Sequence, residues 1–136
     1  MKKVITFGTF DIFHKGHESY LKQAKKYGDY LIVVVARDAN VLKIKGALPK
    51  NDENERLKKV KESGLGDEVV LGNLVDRYQM IKKHRPDVIC AGYDQQVSIE
   101  ELTKKLEEFG LKHTKVVRLK AHKPEIYKSS KLKISK

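Results

Sequence analysis

Two histidines three positions apart, His14 and His17, stand at the start of a predicted helix with Gly16 between them. They follow a short apolar run and belong to the segment 8–17, which has the sequence GTFDIFHKGH. If the helix begins near Lys15, both rings can reach the same side of its N-terminus. Main-chain N–H groups converge there, and the helix dipole favours an anion. Two imidazoles beside an anion site indicate phosphate chemistry.

The elements that must position this segment alternate along the chain. Short apolar runs predict buried parallel strands at residues 4–7, 30–36, 68–71, 87–91 and 115–119. Helical spacing between caps and glycines predicts helices at 15–27, from a cap at 51 or 52 to 63, at 78–84, and from a cap at Ser98 to 109. Residues 37–50 lack a clean periodicity and predict a loop, with room for a helical turn. The alternation predicts an α/β fold, a Rossmann-like doubly wound parallel sheet of five strands with helices on both faces.

Polar segments follow three of the predicted strands, at residues 8–11, 36–38 and 92–95. In open α/β sheets, ligands bind outside the carboxyl ends of the strands, where the strand order reverses. We therefore expect these three segments, distant in sequence, to line one crevice.

Length and composition limit the class of protein. The 136 residues suit a single domain spanning 1–136, long enough to bury a core without disulfides or a structural metal. No stretch is apolar enough to span a bilayer, and the first residues lack the apolar region of a signal peptide. The single cysteine, Cys90, cannot form an internal disulfide. These features predict a cytoplasmic protein without a membrane partner.

The charge is strongly positive and unevenly placed. The formal net charge is +11, which indicates an anionic partner. Residues 112–136 contain nine Lys or Arg and one acidic residue, Glu125. The tail at 120–136 could close over substrate phosphates, bind nucleic acid or remain a solvated end. Tyr127 is the only Phe, Tyr or Trp there, so a base-stacking surface and a nucleic-acid partner are the less favoured interpretation.

The motifs resemble one enzyme family. Residues 8–17 resemble the G-x-F-D-x-x-H-x-G-H signature of the cytidylyltransferase-like nucleotidyltransferases. Lys43 and Lys45 fall where that family places phosphate-binding lysines, and residues 55–57 are similar to its E-x-R-type helix segment. The sequence at 128–131 resembles the family's C-terminal S/T-S/T motif, which binds the triphosphate. The resemblance extends over nearly the whole chain.

Within the family, residues 36–41 and 91–95 look most like the archaeal-type FAD synthases, which transfer AMP from ATP to FMN. Glycerol-3-phosphate cytidylyltransferases are almost as similar, but the chain lacks their Gly-Asp-Asp-type segment and their R-T-x-G-I-S-T tail. Its tail also has Tyr127-Lys128 where the FAD synthases have Arg-Thr. The resemblance implies FAD and pyrophosphate as products and a homodimer. CDP-glycerol synthesis, another phospho-alcohol cytidylyltransferase and a non-catalytic nucleotide- or RNA-binding module are the alternatives.

Nucleotidyl transfer depends on positioning and charge neutralisation, because the attacking phosphate oxygen is already ionised. We expect His14, His17 and Lys43 to act on the reacting phosphates. No carboxylate cluster predicts a metal cage, so Mg²⁺ or another divalent cation would accompany the ATP or CTP. The predicted acceptor-binding residues are Asp11 and Asp38. The predicted nucleotide-binding residues are Gly8, Thr9, Phe10, Gly16, Lys45, Arg56, Asp94, Gln95, Ser129 and Ser130.

Plainer interpretations stay open for several of these residues. The His-x-x-His pair could ligate zinc, although no third ligand is nearby. Lys43 and Lys45 could be solvated loop charges, and Arg56 could form an ordinary salt bridge. The serine pair of the tail could be ordinary polar residues.

Overall fold

The computed structural model describes residues 1–73, 78–91 and 99–119, which form a parallel sheet with helices on both faces. The strands are β1 (Lys3–Gly8), β2 (Tyr30–Val35), β3 (Glu68–Leu71), β4 (Val88–Ala91) and β5 (Lys115–Arg118). The helices are α1 (Lys15–Lys25), α2 (Asp38–Lys45), α3 (Glu53–Ser63), α4 (Tyr78–His84) and α5 (Ile99–Glu108). The predicted α/β class and Rossmann-like five-stranded sheet are confirmed.

The strand order is β3-β2-β1-β4-β5, and every pairing is parallel. From the central strand β1 the chain moves outward to β2 and β3, then returns to the other side of β1 for β4 and β5. The order therefore reverses between β1 and β4. The crevice that ligands use in such sheets lies at the carboxyl ends of these two strands. Strand β1 leads directly into the segment 8–17.

The core has two layers, one on each face of the sheet. Successive side chains of a strand point to opposite faces, so Leu31 and Val33 of β2 belong to one layer and Ile32 and Val34 to the other. Helices α1 and α3 cover the first layer, with Leu21, Ala24 and Val60. Helices α4 and α5 cover the second, with Met80, Ile81, Leu102 and Leu106. This sandwich fixes the sheet edge that carries the site.

The expected loop at residues 37–50 is wrong in part, because helix α2 occupies Asp38–Lys45. Its only buried residue is Val41, while Leu42 and Ile44 are exposed, so the sequence shows no amphipathic pattern. The helix is fixed at its start instead, by backbone–side-chain bonds between Asp38 and Glu53 of α3. Gly46 ends it in the left-handed conformation, with φ of 78°.

The helix ends follow the capping signals. Asp52 caps α3, its Oδ1 accepting the Glu55 N–H at 2.8 Å, and Gly64 ends that helix at φ of 70°. The predicted cap at Ser98 lies outside the described residues. No helix in the described part of the chain is both long and apolar enough to cross a bilayer.

Candidate active site

The loop between β1 and α1 is shaped by a buried aromatic ring. Phe10 is 3% exposed and has a φ of 54°, a strained conformation for a residue with a side chain. Its ring folds back over Gly8, where an added Cβ would lie 2.7 Å from two ring carbons. A side chain at Gly8 would therefore clash with the Phe10 ring.

The two histidines close the N-terminus of α1 against each other. His14 is the N-cap, and its Nδ1 accepts the Gly16 N–H at 3.0 Å. Nδ1 of His17 accepts the His14 N–H at 3.2 Å, which completes a reciprocal capping box. A neutral imidazole that accepts at Nδ1 carries its proton on Nε2. The backbone thus selects one tautomer for both rings, in which Nε2–H is the donor.

A stack of rings holds the histidines in place. The His14 and His17 centroids are 4.0 Å apart at an interplanar angle of 22°. Phe13 stacks against His17 at 5.5 Å, and Phe10 meets it edge-on at 5.4 Å. A Cβ on Gly16 would lie 2.7 Å from Cε1 of His14, so this glycine makes room for the ring. The HxGH spacing is explained by contacts within the segment.

Asp11, which is predicted to bind the acceptor, has its carboxylate bound within the chain. Its two carboxylate oxygens accept the N–H groups of Lys50 and Asn51, both at 2.9 Å, and the Asn51 side chain donates to the Asp11 carbonyl. These backbone bonds, first from Asn51 and then from Lys50, lower the pKa of Asp11 below its usual value. Asp11 therefore ties the loop between β1 and α1 to the segment before α3. This loop, residues 9–14, is called the anion loop below.

Arg56, which is predicted to bind the nucleotide, forms the salt bridge that its plainer interpretation offered. Its side chain is fully buried and donates to the carbonyls of Thr9, Ala36 and Asn51 and to Oδ1 of Asp38. The second Asp38 oxygen accepts the Glu53 N–H at 3.2 Å. Both oxygens of Asp38 thus accept hydrogen bonds within the chain, and its acceptor-binding role stays a prediction.

Lys43 and Lys45 lie on α2 and are exposed. Among the described residues neither lysine forms an ion pair, whereas the nearby Arg37 pairs with Glu53 at 3.1 Å. The carboxylates of Asp11 and Asp38 are bound by internal N–H donors. The described part of this sheet edge therefore offers cations without matching acidic groups, as an anionic ligand requires.

Four predicted site residues lie outside the described residues. Asp94 and Gln95 follow β4 in the sequence, and Ser129 and Ser130 belong to the basic tail. Their roles stay predictions. The side chains that the sequence reasoning missed are Phe13, Asn51 and Glu53, which hold the reacting residues in place. Asn51 left a signal as a possible helix cap, and Glu53 left one as an acidic residue in the first turn of a helix.

The described residues contain no group of three His, Cys, Asp or Glu side chains placed to hold a metal ion. Cys90 is fully buried in β4, and burial raises the pKa of its thiol to about 12. It is therefore a neutral thiol at pH 7, which is the state of an apolar core residue.

Known proteins are similar to this chain in sequence and in fold. The cytidylyltransferase-like family model matches residues 5–134. This chain belongs to the cytidylyltransferase-like family. It is 44% identical over 134 residues to an FAD synthase of Ferroglobus placidus, covering 97% of this chain and 86% of that relative. It is 42% identical over 135 residues to an FAD synthase of Pyrococcus horikoshii, covering 98% of this chain and 88% of that relative.

A solved structure agrees with the fold. A protein of Thermoplasma volcanium, described as a lipopolysaccharide core biosynthesis protein, has a TM-score of 0.83 and 40% identity, over 90% of this chain and 98% of that one. The family resemblance and the nucleotidyltransferase class of enzyme are confirmed. The alternative of a non-catalytic nucleotide- or RNA-binding module loses its support.

Proposed function

We propose that this chain transfers AMP from ATP to the phosphate of FMN, releasing FAD and pyrophosphate. Similarity to FAD synthases over nearly the whole chain supports the acceptor. The paired histidines at the N-terminus of α1, both with Nδ1 bound by a backbone N–H, are the observation that carries the reaction type.

In this reaction an oxygen of the FMN phosphate attacks the α-phosphorus of ATP, and the bond to the pyrophosphate oxygen breaks. No side chain forms a covalent bond. Negative charge grows on the α-phosphate oxygens and on the leaving pyrophosphate. Nε2–H of His14 and of His17 would donate to those oxygens. Loss of one such donor typically costs roughly 10²–10³ in rate.

The N-terminus of α1 supplies further stabilisation. Helix N-termini bind phosphate through unpaired backbone N–H groups and the positive end of the dipole. The N–H groups of Thr9 and Phe10 would add donors from the loop. Lys43 and Lys45 would meet the β- and γ-phosphates from α2, whose anchored start limits where the lysines can go.

The remaining predicted contacts are part of the proposal. Asp94 and Gln95 would read the adenine or hold the acceptor from the carboxyl end of β4. Ser129 and Ser130 would donate hydroxyl groups to the outer phosphates, and the basic tail at 120–136 would close over them. A homodimer and a cytoplasmic location complete the proposed setting.

The carboxylates at the site do not fit a protein-held divalent cation. Both oxygens of Asp11 and of Asp38 already accept hydrogen bonds from the chain. We propose that Mg²⁺ or a similar ion binds the triphosphate itself and reaches the site as part of the nucleotide.

A substrate matrix tests the proposal. ATP and CTP are each combined with FMN, glycerol 3-phosphate, phosphoethanolamine and phosphocholine, and pyrophosphate release is scored with product analysis. We expect FAD from ATP and FMN and little product elsewhere. CDP-glycerol from CTP and glycerol 3-phosphate, without FAD, would overturn the choice of substrates. His113→Gln, on the exposed surface before β5, serves as the control variant and should keep full activity.

A further inference from the structure

A fully buried guanidinium lies beneath the anion loop, and it has no role in the reaction proposed above. Arg56 is 0% exposed. Its Nη1 donates to the carbonyl oxygens of Thr9 and Ala36, both at 2.8 Å, and its Nε to that of Asn51 at 3.0 Å. Nη2 pairs with Asp38 at 2.7 Å. One side chain thus donates hydrogen bonds to carbonyl groups of three separate segments.

These bonds fix the direction of the peptide groups involved. In a trans peptide the C=O and N–H bonds point in opposite directions, and the described residues contain no cis peptide. A Thr9 carbonyl turned toward the guanidinium therefore turns the N–H of Phe10 away from it. The Ala36 carbonyl does the same for the N–H of Arg37. Neither of these N–H groups bonds to another residue in the described parts of the chain.

The two peptide groups follow neighbouring strands. Thr9 follows β1 and Ala36 follows β2, and these strands pair along their full length. Both carbonyls bind the same nitrogen atom, so the two peptides must lie close together. Their N–H groups emerge at the sheet edge that also carries His14. Backbone N–H groups held close together can stabilise the negative charge of a phosphate oxygen.

Lysine could not replace this arrangement. The guanidinium is planar and offers five N–H donors in a fixed fork, while an ammonium offers three on a mobile stem. Arg56 uses that fork on four oxygens in different directions. Burying the charge is costly unless each donor is satisfied, and Asp38 supplies the balancing charge.

We propose that Arg56 is a positioning residue that presents the N–H groups of Phe10 and Arg37 to the triphosphate of the donor nucleotide. The inference rests on the proposed nucleotidyl transfer for its ligand. Arg56 touches no phosphate, and its effect on catalysis passes through the two peptide groups. The N–H of Arg37, two residues after the strand next to β1, is a donor that the sequence did not single out.

The first experiment compares Arg56→Lys with Arg85→Lys. Arg85 also donates to a backbone carbonyl, that of Phe109, but lies before β4 at the opposite edge of the sheet. Well below the melting temperature, Arg56→Lys should weaken ATP binding measured by calorimetry, and lower kcat by about 10²-fold as a misplaced anion donor does. The KM for FMN should stay near the wild-type value. Arg85→Lys should change neither ATP binding nor kcat.

The outcome that overturns the proposal is a folded Arg56→Lys variant with wild-type ATP affinity and a lowered melting temperature only. Rescue gives a second readout: guanidinium ion at millimolar concentration should restore part of the activity of Arg56→Ala but not of His14→Asn. Restoration of neither variant, with Arg56→Ala folded, would also count against it.

A wild-type measurement covers the case in which the variants do not fold. Backbone amide resonances of Phe10 and Arg37 are followed by ¹H–¹⁵N NMR during titration with ATP. Both should shift downfield as donors to phosphate do, and saturation without a shift in either would overturn the proposal. This readout needs ATP alone, so failure to make FAD would contradict the proposed acceptor without deciding the role of Arg56.

Discussion

Aspartates have the same role at the two edges of the sheet, whereas lysines do not. At the amino ends of the strands, Asp29, Asp67 and Asp87 accept the backbone N–H groups of Lys2, Leu31 and Lys3. At the carboxyl ends, Asp11 also accepts backbone N–H groups and Asp38 accepts one beside its Arg56 pair. At both edges the carboxylates hold separate segments of the chain together by accepting their backbone N–H groups.

The difference lies in the cations. Lys25 pairs with Asp67 at the amino edge. At the carboxyl edge Lys43 and Lys45 have no partner within the described ranges, and two imidazoles are held in one tautomer. At the amino edge the Lys25–Asp67 pair supports the fold. An edge with donors left over can bind an anion.

The largest effect should come from removing the imidazoles while their caps are kept. His14→Asn retains an oxygen that can accept the Gly16 N–H, and His17→Gln retains the capping-box acceptor. Each variant should lose roughly 10²–10³ in kcat because one phosphate donor is missing. FAD formation gives kcat and thermal unfolding reports the fold. Near-normal turnover in either variant would remove that histidine from the site.

Gly16→Ala should have the next largest effect. Its Cβ would lie 2.7 Å from Cε1 of His14, so the ring must leave its stack. We expect kcat to fall by about tenfold, less than for loss of the donor. Gly72→Ala is the matched control, since its Cβ would meet nothing nearer than 3.4 Å. Equal activity of the two glycine variants would contradict the ring-placement argument.

Neutralising single lysines tests the difference between the two edges directly. Lys43→Gln and Lys45→Gln should each raise the KM for ATP several-fold, with the effect shrinking at high salt as charge screening predicts. Lys25→Gln should leave the KM for ATP unchanged and lower the melting temperature slightly, because the pair with Asp67 is partly exposed. If Lys25→Gln raised the KM as much as the α2 variants, the proposed division between edges would be wrong.

The smallest effect concerns acid stability at the amino edge. The Lys25 side chain, and then the Leu31 N–H, lower the pKa of Asp67 below 3.8. A lowered pKa stabilises the folded protein above the unfolded value, and this contribution disappears as pH falls through the folded pKa. Asp67→Asn should therefore lower the melting temperature at pH 7 by about 2–4 °C. The difference from wild type should close in strong acid, and a gap that widens there would contradict the assignment.

The sequence predicted what local patterns encode. Strands such as 30–36 are continuous apolar runs, and the Asp52 cap and Gly64 stop of α3 are local signals. Helix α2 escaped prediction because it buries one side chain and is anchored through Glu53, a tertiary contact. Its short, exposed face has no periodicity to detect.

The site shows the same limit. The histidine pair was predictable, because its spacing at a helix start carries the chemistry. The ligand roles predicted for Asp11, Asp38 and Arg56 could not be told from structural roles, because a charged residue near a phosphate motif has the same sequence signature whether it binds ligand or backbone. Only the structure shows that Arg56 is buried against carbonyl groups.

The most direct measurement follows the α-phosphate of ATP. The protein is incubated with [α-³²P]ATP, Mg²⁺ and FMN, and the products are separated and counted. We expect label in FAD, with one unlabelled pyrophosphate released per FAD. Label confined to ATP, AMP or ADP after incubation with protein that binds both substrates would contradict adenylyl transfer to FMN at this sheet edge.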